Sequence, residues 1–307
     1  MKEKITSRSR KNRNGQNLWR NKIPLIIFLL IITSGLVFLY IKSGFVKPFP
    51  KIVKDNNAYH LACPYDTATY ISNLSLYSHK IHAKAVVIPH HLLAKDLIIK
   101  TLDSISSDYQ TIFLIGPNHK NLGKVSVQIS KANWRTKFGQ LSPDLEVVDY
   151  LEKNSDLDIS EENFNTEHSI CGLVSFVKIY FPQAKIVPII LKSNTYASQV
   201  DKLVSNISIS CNNCLLIASV DFSHEVSSDQ AKKNDQISAD ILINQKLDDL
   251  KKIEVDSLPT LQTLLLFLKE QNAREVQLVD SSNSYKISGI NPESVTSYIS
   301  MIYYTTP

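Results

Sequence analysis

Histidine is the side chain best placed to move protons near neutral pH, and its neutral ring ligates zinc, iron and copper. In this 307-residue chain, histidines at 90, 119 and 224 each follow a short apolar run. The runs are Ala85-Val86-Val87-Ile88, Thr111-Ile112-Phe113-Leu114-Ile115 and Leu215-Leu216-Ile217-Ala218. Continuous apolar runs of this length, the first of them largely β-branched, suit strands buried on both faces. Ligands of open α/β sheets bind beyond the carboxyl ends of the strands, so three strands could deliver three imidazoles to one cavity. Asp221 precedes His224 by three residues, and Glu167 adjoins His168. Carboxylates so placed suit the second nitrogen of a ligand histidine, and also suit helix caps or turns. Two histidines with one carboxylate make the facial set of non-haem iron(II) enzymes.

The elements that must position these groups alternate strand and helix. Leu92–Asp103, 169–181, 229–250 and 259–271 read as helices. Lys185–Leu191, Val276–Asp280 and Ser297–Tyr303 read as further strands. The pattern predicts an α/β domain, a sheet covered by helices.

Charge is unevenly placed. Residues 1–22 hold eight Lys or Arg against Glu3, a balance of +7, so of the formal net charge of +5 the remainder carries −2. A nucleic-acid-binding domain would need basic patches in its folded part, and no nucleic-acid partner is expected. Residues 24–41, PLIIFLLIITSGLVFLYI, are 18 uncharged residues, close to the roughly 20 that cross a bilayer. No small-x-small cleavage site follows, so an uncleaved signal anchor is expected. Positive charge stays inside. The expected layout is a cytoplasmic basic tail at 1–23, a single transmembrane anchor at 24–42, a juxtamembrane linker and lead-in at 43–79, and an extracytoplasmic domain at 80–307. That side of the membrane permits a disulfide at Cys211-Asn-Asn-Cys214, whose other readings are a pair of loop thiols or a redox motif.

Five blocks then occur in a telling order: Pro89-His90, Leu114-Ile-Gly-Pro-Asn-His119, Trp134-Arg-Thr136 with Gly139, Glu167-His-Ser-Ile170 and Val220-Asp-Phe-Ser-His224. From about residue 80 to the C-terminus the chain resembles the Memo family, also known as AmmeMemoRadiSam system protein B. That family is similar in fold to class III extradiol dioxygenases, the LigB-like proteins. The resemblance implies a three-layer α/β/α domain with a mixed, largely parallel sheet. It implies that His90 and His119 hold a metal, iron(II) or copper with zinc as a third candidate, and that His224 with Asp221 forms an acid–base pair. Family members commonly supply a cysteine as third ligand in a C-G-x-x-P context. Here the prolines align at Val255-Asp256-Ser257-Leu258-Pro259, without a cysteine, and Asp256 or Glu254 could restore the carboxylate. Asp256 is taken as third ligand, with the reservation that a one-residue slip on an extended strand reverses its face. His168 and His91 are expected to line the cofactor pocket, and each has an ordinary reading as a helix-start or solvent-facing residue. The family's P-H-A-G-Y becomes Pro89-His90-His91-Leu92-Leu93, which adds bulk at the pocket. Three functions remain open: a metal-dependent redox or dioxygenase-like enzyme, a peptide- or small-ligand-binding module with a vestigial pocket, and a zinc hydrolase.

Overall fold

The structure is a computed structural model and describes residues 59–63 and 80–306. The apolar run at 24–41 lies outside the described residues. Among the described ones, no helix is long and apolar enough to cross a membrane.

Among the described residues twelve strands run in chain order: β1 Tyr59–Leu61, β2 Ala83–Ile88, β3 Thr111–Pro117, β4 Val127–Ile129, β5 Asn133–Thr136, β6 Gly139–Leu141, β7 Leu157–Ile159, β8 Lys185–Leu191, β9 Cys214–Ser219, β10 Phe222–Val226, β11 Glu275–Asn283 and β12 Val295–Tyr304. The helices are α1 Lys95–Asp103, α2 Leu145–Asn154, α3 Glu161–Phe164, α4 His168–Cys171, α5 Val174–Tyr180, α6 Ala197–Ser210, α7 Ser228–Ile243, α8 Leu258–Glu270 and α9 Ser284–Ser288. One large mixed sheet runs in the order β10-β12-β2-β9-β3-β8-β4-β7, with β11 also on β12. Its centre, β2-β9-β3-β8, is parallel, and β12 and β4 join it antiparallel on either side.

The period-2 pleat sorts the side chains of each strand into two cores. Val87, Phe113, Ile115, Val187 and Leu216 pack under α2, α6 and α8. Their neighbours Val86, Ile112, Leu114, Ile186 and Leu215 pack under α1, α4 and α5 with Trp134. Helices therefore cover both faces, which is why the central strands carry no polar alternation.

The helix expected at 169–181 is two pieces, α4 and α5, divided at Gly172. A Cβ at Gly172 would lie 2.9 Å from the His168 carbonyl and 3.2 Å from that of His90. The helix expected at 229–250 stops at Ile243, because Gln245 takes a positive φ of 49° before a 3-10 turn at Leu247–Lys252. A small second sheet, β1-β5-β6, was not anticipated; its strands are three or four residues long. It draws the lead-in into the folded body. Buried His60 pins it, with Nε2 2.7 Å from Glu161 Oε2 and Nδ1 2.9 Å from Asn165 Oδ1. Two disulfides, Cys63–Cys171 and Cys211–Cys214, account for all four cysteines.

Candidate metal centre

The adjacent strands β2, β9 and β3 end side by side and deliver His90, Asp221 and His119 to one rim of the sheet. His90 is buried and held at two points. Its backbone N–H donates to Asp221 Oδ1 at 3.1 Å, and its Nδ1 lies 3.1 Å from Ser219 Oγ. The Ser219 hydroxyl proton is committed to the carbonyl of Ser169 at 2.7 Å. A carbonyl can only accept, and a hydroxyl has one proton, so Ser219 must accept from His90 Nδ1–H. The other nitrogen, Nε2, is therefore the bare one when the ring is neutral. It lies 3.4 Å from Asp256 Oδ2 and 3.5 Å from Asp221 Oδ2. Burial keeps the ring neutral, pushing its pKa down to about 3 against the opposing pull of Asp256.

His119 is oriented by Glu167. The carboxylate accepts the His119 backbone N–H at 2.9 Å and approaches Nδ1 at 2.7 Å. Glu167 also caps α4 by accepting Ser169 N–H at 3.0 Å, the geometry expected of an acid at a helix start. Nδ1–H thus points at Glu167, and Nε2 faces Asp256 Oδ2 at 3.7 Å. Burial alone would lower the pKa of His119. The nearby Asp256 carboxylate and the hydrogen-bonded Glu167 outweigh it and raise the ring to about 9. Glu167 is buried as well, and its bonds to His119 override that, bringing it down to about 2.

His168, the first residue of α4, stacks on His119 with centroids 4.0 Å apart and meets His90 edge-on at 5.1 Å. Burial and the His119 charge lower its pKa. One ring nitrogen from each of His90, His119 and His168 falls within 4.8 Å of the others, so the three could hold a metal ion. Close packing makes this convergence possible: a Cβ on Gly116 would lie 2.7 Å from Ser169 Oγ, so only glycine lets α4 rest on the end of β3.

Asp256 reaches the cluster from the segment before α8. No strand forms there; Val255 makes an isolated bridge to Phe222 and the chain bends at Asp256. The face reversal expected of an extended strand therefore does not apply. Asp221 and Asp256 clasp each other, Asp256 N–H to the Asp221 carbonyl and Asp221 N–H to Asp256 Oδ2, both at 3.1 Å. Asp256 Oδ1 is buried with no hydrogen-bond partner among the described residues. A buried acceptor without a donor is costly, and a bare imidazole nitrogen facing two carboxylates is repulsive. A cation relieves both, and donor spacings of 3.4 and 3.7 Å approach those of ligands about 2.1 Å from one metal. The donor set fits a metal ion.

Two expected residues stand apart. His224 lies exposed on β10, and no hydrogen bond or ring contact ties it to the cluster among the described residues; it sits close enough to help hold down the Asp221 carboxyl that burial pushes up. His91 is also exposed and turns to Tyr298, its Nδ1 3.0 Å from the phenol oxygen with the rings stacked at 5.9 Å. Ser219 and Ser169, which fix the His90 tautomer, were not anticipated; the one sequence signal was Ser219's place at a strand end.

Residues 66–302 match the family described as Memo-like protein. The chain belongs to the Memo family. A MEMO1 family protein of Methanococcus maripaludis is 34% identical over 146 residues, which is 45% of this chain and 51% of that protein. Another from Aquifex aeolicus is 26% identical over 249 residues, 74% of this chain and 65% of its own length. The chain thus spans about half to two thirds of these Memo relatives. The crystal structure of an uncharacterized protein from Escherichia coli K12 aligns with a TM-score of 0.44 and 12% identity, covering 71% of this chain and 98% of that one.

Proposed function

We propose that this Memo-family protein holds one iron or copper ion through His90 Nε2, His119 Nε2 and Asp256, with His168 at the open side. The observation that carries the proposal is the approach of both Nε2 atoms to Asp256 Oδ2, at 3.4 and 3.7 Å. Two histidines and a carboxylate favour iron(II) where a thiolate would favour softer ions. Such a metal supplies one-electron redox chemistry when bound. The protein's part is to fix the tautomers through Ser219 and Glu167 and to keep Asp221 and Asp256 beside the metal position. The test is metal analysis of the purified full chain. About one iron or copper per chain is expected, lost in His90→Ala and His119→Ala. Stoichiometric zinc instead would favour the hydrolase reading, and a chain that binds no metal even after reloading would refute the proposal.

A second reading is a ligand-binding module. The half-buried Leu92 and Leu93, next to His90 and His91, support it, because they put aliphatic bulk where the family has a glycine and a tyrosine. A peptide or small-molecule partner whose binding survives the double change at His90 and His119 would favour this module.

We also propose that residues 24–41 anchor the chain with the domain outside. The basic tail supports this, as does the pairing of all four cysteines, since disulfides persist in oxidising compartments. Proteinase treatment of intact cells should remove the domain and spare the tail.

A further inference from the structure

At the opposite end of the sheet, where β3, β8 and β9 begin, lies a cleft of about 590 Å³. That volume falls within the roughly 300–1,000 Å³ of small-ligand sites. We infer that this cleft is a second binding site, for a neutral oligosaccharide, and that the Cys211–Cys214 disulfide shapes its lip.

The floor is a buried carboxylate. Asp144 Oδ2 accepts the Thr111 hydroxyl at 2.6 Å, while Oδ1 faces Lys185 Nζ at 3.8 Å, beyond hydrogen-bond reach. Oδ1 therefore retains capacity for a ligand hydroxyl. Val147, Tyr150 and Ile209 supply apolar surface, and Ile209 is 72% exposed. At the rim, the side-chain amides of Gln110, Gln183 and Asn212 make no hydrogen bond among the described residues. Asn213 is braced by donating to the Asp108 carbonyl at 2.7 Å.

Asn212 and Asn213 are the two residues inside the C-x-x-C ring, and both line the cleft. The disulfide closes the smallest loop that can present them, so less side-chain and backbone freedom is lost on binding. A pyranose has an apolar C–H face and a ring of hydroxyls that donate and accept. Planar amides, one carboxylate and an apolar wall match that division. The charged lining is Asp144 and Glu146 against Lys185, an excess of one negative charge that disfavours anionic ligands.

The test uses saturation-transfer NMR on the full chain with chitotriose, cellotriose and maltotriose, and with spermidine as a cationic probe. At least one trisaccharide should bind with a Kd on the order of 0.1–1 mM, and spermidine should not compete with it. The double variant Asn212→Ala/Gln183→Ala changes exposed residues and should keep its Tm while weakening that binding about tenfold. Binding by none of the three sugars, binding of spermidine in their place, or full affinity in the folded double variant would each overturn the inference.

Discussion

Ser219 Oγ donates to the Ser169 carbonyl at 2.7 Å and sits 3.1 Å from His90 Nδ1, so a side chain that touches no metal position decides which nitrogen of His90 can. The bond joins the end of β9 to α4 and to β2 at once.

Ser219→Ala removes the acceptor and leaves His90 Nδ1–H buried. The cost is about 1–3 kcal/mol of stability. Metal affinity should fall about 10–100-fold, as expected when an orienting partner of a ligand histidine is lost. Competition with a chromogenic chelator measures the second effect, and unchanged affinity would mean that His90 does not bind through Nε2.

Asp256→Ala should abolish metal binding, whereas Asp256→Cys should retain it and move preference from iron toward copper or zinc, because thiolate is the softer ligand. Elemental analysis after growth in mixed metals reads the outcome. If the alanine variant keeps its metal, His168 rather than Asp256 completes the set.

Gly116→Ala would place a methyl 2.7 Å from Ser169 Oγ. Either α4 or the end of β3 has to give way, at about 1–3 kcal/mol, and the His119–His168 stack should loosen with it. A lower Tm together with weaker metal binding is expected; a fully stable variant with normal binding would show that α4 is not held by this contact.

Asp235 provides a pH dependence away from the cluster. Burial pushes its carboxyl up to about 6, with the Ser297 hydroxyl at 2.6 Å and Lys286 pulling the other way. A carboxyl whose folded pKa is raised favours the fold at low pH, and that advantage is lost as pH rises through about 6. Asp235→Asn should therefore raise Tm relative to the wild type at pH 8, and the gap should close between pH 6 and 4. Thermal melts across that range give the answer, and a gap that does not vary with pH would contradict the burial argument.

Reduction should be costly at one bridge. The Cys63–Cys171 link spans 108 residues, for which removal of a disulfide costs about 2–5 kcal/mol. A thiol reductant should lower Tm markedly, and the Cys63→Ser/Cys171→Ser variant should start low and lose most of that sensitivity.

The parts legible from sequence share one property: local repetition strong enough to need no partner. The runs 85–88, 111–115, 185–191 and 215–218 announce buried strands because apolar residues fill both faces. The histidines at 90 and 119 could be placed at their ends for the same reason. Asp256 was reached through the spacing of a proline. Its orientation was not legible, since an isolated bridge and a bend stand where an extended strand was assumed. The position of His168 depends on α4 folding back onto β3 across 48 residues, with Glu167 as the hinge contact. No local pattern encodes that return. The small β1-β5-β6 sheet and the pairing of Cys63 with Cys171 were hidden likewise, because short strands and distant thiols acquire meaning only after the large sheet has formed.

The lead-in is stitched to α4 by a covalent bond, and α4 begins with the histidine that stacks on His119. A displacement at residue 63 is thus coupled through the disulfide to the short helix that carries His168. The covalent tie of the lead-in and the placement of a pocket histidine meet in one four-residue helix.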